Sequence, residues 1–186
     1  MKFFARVIII IMAIYMILYG ATITLKEVVF PINYELYVKK YSKQYNLDPL
    51  FVLSVIKAES NFNANAQSRK DAMGLMQITK STGSWIAENQ GIIDFDTKLL
   101  LEPEVSIKFG TWYLNNLYEQ FGDWDLVIAA YNAGRGNVEK WLKDKTYSKD
   151  GENLNYIPFK ETDKYVKKVN TYYNVYKYLY KNNKLF

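Results

Sequence analysis

The chain has 186 residues, 49% of them hydrophobic and 17% aromatic, with a formal net charge of +5 and neither cysteine nor histidine. That length suits one globular domain with a short additional segment. The missing residue types exclude disulfides, Cys and His nucleophiles, Ser-His-Asp triads and nearly all zinc sites, so acid–base work falls to Asp, Glu, Lys or Tyr.

Lys2 and Arg6 precede Val7–Leu25, a run of 19 residues without a charge. As a helix it would be roughly 28 Å long at 1.5 Å per residue, close to the ~30 Å hydrocarbon core of a bilayer. A cleavable signal peptide has a shorter apolar region and small residues before the cut, and the bulky Tyr19 makes Tyr19-Gly20-Ala21 a poor site. Residues 1–26 are therefore expected to be an uncleaved signal anchor, single-pass in the cell membrane through residues 7–25. Lys2 and Arg6 place the N-terminus in the cytoplasm and residues 27–186 outside. If the segment were cleaved, the domain would be secreted. Without Lys2, Arg6 and Lys26 the remainder carries 21 basic and 19 acidic residues. Such a balance argues against nucleic acid as the main partner.

Helical periodicity dominates the rest, and strand-like alternation is scarce, so an all-α domain is expected. Asn33–Tyr45 predicts a short amphipathic helix with Leu36 and Val38 inward. Asp48 fits an N-cap and Pro49 the first position of the next helix, which runs through Leu50–Ala58 to Glu59. Asn61–Asp71 is polar and loop-like. Gly74–Ile78 is expected to open a helix that continues through Trp85 and Ile86. Pro103–Phe121 repeats apolar residues at spacing four and ends at Gly122. Trp124–Tyr131 is short and apolar, hence buried, and Asn137–Leu142 is another short helix. Asp144–Tyr156 is polar with a turn at Asp150-Gly151. Glu161–Tyr180 closes the domain with Val166, Val169, Tyr173, Tyr176 and Tyr180 on one stripe.

Glu59 ends an almost wholly apolar run. A carboxyl group desolvated there has its charged form disfavoured, so its pKa rises and it can serve as a general acid. The alternative is a surface Glu on the last turn of a buried helix.

Three clusters occur in order. The first is Glu59-Ser60-Asn61-Phe62 with Ser68 and Ala72-Met73-Gly74-Leu75-Met76-Gln77-Ile78. The second is Ala129-Ala130-Tyr131-Asn132-Ala133-Gly134-Arg135-Gly136. The third is Ile157-Pro158-Phe159-Lys160-Glu161-Thr162 with Tyr165-Val166. Over residues 35 to 180 they resemble the soluble lytic transglycosylase catalytic domain, a lysozyme-like family acting on peptidoglycan.

The resemblance implies that Glu59 is the single catalytic acid–base and that Ser68, Gln77, Tyr131 and Asn132 line a sugar groove, with Glu161 and Tyr165 near it. It requires no metal and no cofactor. It also implies cleavage between N-acetylmuramic acid and N-acetylglucosamine with a 1,6-anhydro product. Simpler roles compete: Ser68 as a loop cap, Gln77 as an exposed helix residue, Tyr131 as core, Glu161 as an acid favoured at a helix N-terminus. Gly74, Gly134 and Gly136 are expected to permit tight turns or close backbone approach.

The chain departs from the common family pattern at Asp71, where Gly is frequent, at Lys80, where Pro is frequent, and at Ser106, where Asn is frequent. Competing functions are a hydrolytic muramidase using Asp71, Asp123 or Asp125 to position water, and a non-catalytic wall-binding module. The anchor also suggests a scaffold role beside envelope-machinery proteins, with peptidoglycan glycan strands as the main partner.

Overall fold

The computed structural model describes residues 2–181; Met1 and the expected domain end, residues 182–186, lie outside the described residues. The chain divides into two compact units between Asn33 and Tyr34. In the first, helix α1 (Lys2–Thr24) runs into a π-turn at Leu25–Val29. Phe3–Val29 is long and apolar enough to cross a membrane. Its side chains are exposed on every face, Ile8, Ile9, Ile10 and Ile11 among them. This is the pattern of a helix without a protein core around it.

The second unit is helical apart from one small hairpin. It contains α2 (Glu35–Gln44), α3 (Pro49–Ser60), strands β1 (Ala72–Met73) and β2 (Ile78–Thr79), α4 (Lys80–Asn89), a 3-10 turn (Thr97–Leu101), α5 (Pro103–Phe121), α6 (Trp124–Ala133), α7 (Arg135–Lys143) and α8 (Lys160–Tyr180). Asp48 caps α3 as expected: its Oδ1 accepts from the Leu50 amide at 2.8 Å, with Pro49 in the first turn. Gly122 ends α5 in the left-handed region at φ 68°. Asp150 accepts from the amides of Glu152 and Asn153 at the expected turn.

The core is built on two helices that are apolar all round. Residues 51–58 of α3 are buried without a break, as are residues 126–130 of α6. Helix α3 packs on α8 and α2, and α6 packs on α5, α7 and α8. Helix α8 therefore touches both, and it carries residues from one to the other.

Two expectations fail here. Leu36 is 74% exposed; the buried stripe of α2 is Val38, Tyr41 and Ser42. Leu36 lies about 200° around the helix from Val38, on the opposite face. The stretch Gly74–Ile78 is no helix. Gly74–Gln77 is the turn of the hairpin and Ile78 begins β2, with Ala72 paired to Thr79 and Met73 to Ile78, and α4 starts only at Lys80. Gly74 at φ 76° and Gln77 at φ 48° are incompatible with a right-handed helix. Leu75-Met76 is apolar because this turn is buried, both residues being fully inaccessible.

Candidate active site

The buried turn between β1 and β2 is held from three helices. Ser60, at the end of α3, donates its hydroxyl to the Leu75 carbonyl at 2.8 Å. Ser106 of α5 accepts from the Met76 amide at 3.1 Å. Tyr131 of α6 donates to the Met76 carbonyl at 2.8 Å. Gln77 closes the turn, its Nε2 donating to the carbonyls of Ala66 (3.1 Å) and Gly74 (3.0 Å). The buried backbone groups of an irregular turn are thus satisfied by side chains. Gly74 is forced by the closeness of this packing, since a Cβ there would lie 1.9 Å from the Leu100 carbonyl oxygen.

Beside the turn runs an open groove of about 870 Å³. Glu59, Ser68, Gln77, Tyr131, Asn132 and Glu161 all line it, alongside Thr79, Asn137 and Phe159. Six of the seven site residues expected from sequence therefore meet in one place. The seventh, Tyr165, is buried and reaches Glu59: its hydroxyl donates to Glu59 Oε1 at 2.5 Å.

Glu59 sits on the last turn of α3, half-buried. Burial pushes its carboxyl up to about 7, against two opposing influences, the Tyr165 hydrogen bond and the nearby charge of Lys168. Lys168 itself is tied down by donation to the Ala58 carbonyl at 2.7 Å. Burial and the neighbouring Glu59 hold the Tyr131 and Tyr165 hydroxyls well above their ordinary pKa, so both stay protonated donors. A carboxyl that is half ionised near neutrality can both give and take a proton there.

The other residues have distinct surroundings. Ser68 accepts from the amides of Lys70 and Ala72, both at 3.1 Å, so its hydroxyl braces the loop while it borders the groove. Asn132 accepts from the Thr162 hydroxyl at 2.8 Å, leaving its Nδ2 as the group it can offer a ligand. Gln77 uses its amide nitrogen on the turn, so it offers its Oε1. Glu161 stands exposed on the rim, 3.9 Å from Lys70.

Sequence inspection gave no role to Ser60, Thr162 or Lys168. Thr162, Tyr165 and Lys168 recur at spacing three on α8, which places them on one helix face; that periodicity is the signal. Gly136 has neither a positive φ nor a crowded neighbour, so the turn role expected for it falls to Gly134 alone, at φ 88°.

The departures at Asp71 and Lys80 belong together. Asp71 adopts φ 59°, a conformation that glycine takes without strain, and Lys80 occupies the first position of α4, where proline fits well. The two side chains pair at 3.4 Å across the hairpin base.

Replacing Tyr165 by Phe removes a donor that favours the charged form of Glu59. Tyr165→Phe is expected to lower kcat about tenfold, the worth of a hydrogen bond to a charged group, and to move the alkaline limb of the pH profile to higher pH. A profile identical to wild type would show that this contact does not tune Glu59.

These features define an all-α, lysozyme-like domain with a half-buried carboxyl lining an open groove. The model of the transglycosylase SLT domain matches residues 36–155. The chain belongs to that family. It is 35% identical over 152 residues to the soluble lytic murein transglycosylase of Escherichia coli K12, covering 80% of this chain and 24% of that protein. Among solved structures, the 70 kDa soluble lytic transglycosylase of Escherichia coli matches with a TM-score of 0.71 at 32% identity, covering 84% of this chain and 26% of that one. An inactive glutamate-to-glutamine mutant of lytic transglycosylase Slt from Pseudomonas aeruginosa matches with a TM-score of 0.70 at 32% identity, covering 80% and 24%. The chain spans about a quarter of the length of these relatives. The third cluster, with Glu161 and Tyr165, lies beyond the matched model.

Proposed function

We propose that this chain is a membrane-anchored lytic transglycosylase. It cleaves the β-1,4 bond between N-acetylmuramic acid and N-acetylglucosamine and leaves 1,6-anhydromuramic ends. The observation that carries this reading is the asymmetry of the groove's two carboxyl groups. Glu59 is half-buried, held by Tyr165 and raised to about 7 by desolvation, whereas Glu161 is exposed on the rim beside a lysine. Two-carboxylate hydrolysis needs a second group set against the scissile bond. The acids considered for that task are engaged elsewhere: Asp123 caps α6, Asp125 accepts from Asn170, and Asp71 pairs with Lys80.

Protonated Glu59 donates to the glycosidic oxygen. The C1–O bond breaks, the departing sugar leaves with a hydroxyl, and the N-acetyl oxygen of the muramic acid stabilises the oxocarbenium-like centre. Ionised Glu59, favoured by the Tyr165 hydroxyl, then takes the proton from the C6 hydroxyl as O6 attacks C1. The ring closes, Glu59 is protonated again, and no water is consumed. An intramolecular nucleophile has a high effective molarity, which removes the need to position a water. The Gln77 acceptor and the Asn132 donor match the N–H and C=O of an acetamido group. The Tyr131 ring offers a flat wall to a sugar.

The exposed apolar helix Phe3–Val29 supports the anchor, and Lys2 and Arg6 support an external domain. The test is the mass of the products from purified peptidoglycan. Anhydro ends, one water lighter than hydrolysed ends, are the expected result; reducing ends alone would replace this reading by the hydrolytic one.

A further inference from the structure

Arg135, the first residue of α7, has no role in the chemistry above. Its guanidinium lies 4.6 Å over the Trp85 ring and 6.0 Å from the Tyr113 ring, and its Nη2 donates to Asn116 Oδ1 at 2.6 Å. All of these partners are neutral. The ion pairs among the described residues join Lys40 to Glu104, Lys70 to Glu161, Lys80 to Asp71 and Lys167 to Asp163; none includes Arg135. A half-buried guanidinium without a counter-charge is costly to keep. Here it is also fixed in orientation, by stacking on Trp85 and by hydrogen bonds to Asn116 and the Tyr113 hydroxyl, and a guanidinium has five donors, more than these partners use.

Arg135 lines a pocket of about 300 Å³ together with Ser81, Thr82, Trp85 and Tyr113. The pocket adjoins the groove. Thr79 lines the groove, and its hydroxyl bonds to Thr82 Oγ1 at 2.8 Å and Ser81 Oγ at 3.1 Å on the pocket wall. Tyr113 packs on the groove residue Tyr131 with ring centroids 5.4 Å apart. Ala133, two positions before Arg135, also borders the groove.

We propose that this pocket is a carboxylate site, in which the Arg135 guanidinium and the Thr82 hydroxyl receive a carboxylate carried by the peptide branch of the glycan strand. The proposal rests on the peptidoglycan reading of the groove. A guanidinium beside a free hydroxyl donor suits an anionic oxygen pair better than a neutral sugar. Trp85, the ring that could stack a sugar here, already has Arg135 over its face. The volume suits a side branch rather than the main strand.

The test compares two preparations of the same soluble glycan strands, one with free peptide carboxylates and one with those groups amidated by carbodiimide and ammonia. The full chain is used in detergent micelles. Binding is measured on the Glu59→Gln background, which separates this proposal from any failure of the cleavage chemistry. The background is expected to bind the free-carboxylate strand about tenfold more tightly, as one charge-assisted contact gives. Adding Arg135→Gln is expected to erase that difference by weakening binding of the charged strand. Arg135→Lys, which keeps the charge but loses the fork, should restore it in part. In the cleavage-competent chain the same substitution should raise KM for the charged strand more than it lowers kcat. Equal binding of both strands by the Glu59→Gln background would overturn the proposal, as would an equal loss on both strands in Arg135→Gln.

Discussion

Glu59→Gln is expected to cut the rate of peptidoglycan cleavage by three to four orders of magnitude, at the upper end of what a positioned acid–base group contributes, while the fold persists. The substitution keeps the size of the side chain and an oxygen that can still accept from Tyr165. It removes the proton transfer at both stages of the reaction. Its effect on stability has a definite sign. The carboxyl titrates near 7 in the folded chain against an ordinary value of 4.5, so the folded state binds more protons than the unfolded state between those limits. Stability from this group is fully present below pH 4.5 and is lost as pH rises to 7, by on the order of 3 kcal/mol. The neutral amide escapes that loss. Glu59→Gln should therefore melt above wild type at pH 8, and the gap should close near pH 4.5. Thermal melts across that window, run beside a cleavage assay, check both halves. Cleavage at the wild-type rate would remove Glu59 from the mechanism, and a melting gap independent of pH would show that it is not desolvated.

Gly74→Ala is expected to be the most damaging single substitution for the fold. The new Cβ meets the Leu100 carbonyl at 1.9 Å and Ser106 Oγ at 2.8 Å, and the residue already sits at φ 76°. Neither the backbone carbonyl nor the buried turn can move aside without breaking the bonds from Ser60, Ser106 and Tyr131. A cost above about 4 kcal/mol follows, or a melting shift on the order of 10 °C for a domain of this size. Gly91→Ala separates the causes, since Gly91 has a similar φ of 68° and open space around it. It should cost only about 1–2 kcal/mol, the penalty of an L side chain in the left-handed region. Equal shifts for the two variants would mean that the clash at Gly74 is relieved elsewhere. Because that turn carries Gln77 and adjoins Tyr131, activity should fall with stability at position 74 and not at position 91.

Much of the helical framework was legible from local rules. Asp48-Pro49, Gly122 and Asp150-Gly151 act through neighbours a few residues away, so their caps and turns appear as short patterns. The buried runs of α3 and α6 were legible for the same reason, because a helix apolar on every face has nowhere to go but a core. The hairpin was not. Its turn is apolar like a helix face, yet what makes it a turn is the Leu100 carbonyl and the hydroxyls of Ser60, Ser106 and Tyr131, all distant in sequence. Leu36 was misplaced because two apolar residues do not define a stripe until the partner helix is known.

For the site, the chain by itself singled out a candidate acid. With no histidine or cysteine, and with one carboxyl at the end of an apolar helix, Glu59 stands out, and the raised pKa expected of it depended on how other segments cover it. Tertiary structure decided everything that depends on approach between distant segments. It took Tyr165 behind Glu59 rather than into the groove, and set Thr162 against Asn132. It turned the Tyr131 hydroxyl to the Met76 backbone and left Arg135 stacked on Trp85 with no acid paired to it among the described residues. The physical reason is range. An apolar run that ends in one acid is read along the chain, whereas the desolvation of that acid depends on α8 packing against α3. A hydrogen bond or a missing counter-charge exists only once two segments far apart in the chain lie within about 3 to 4 Å of each other.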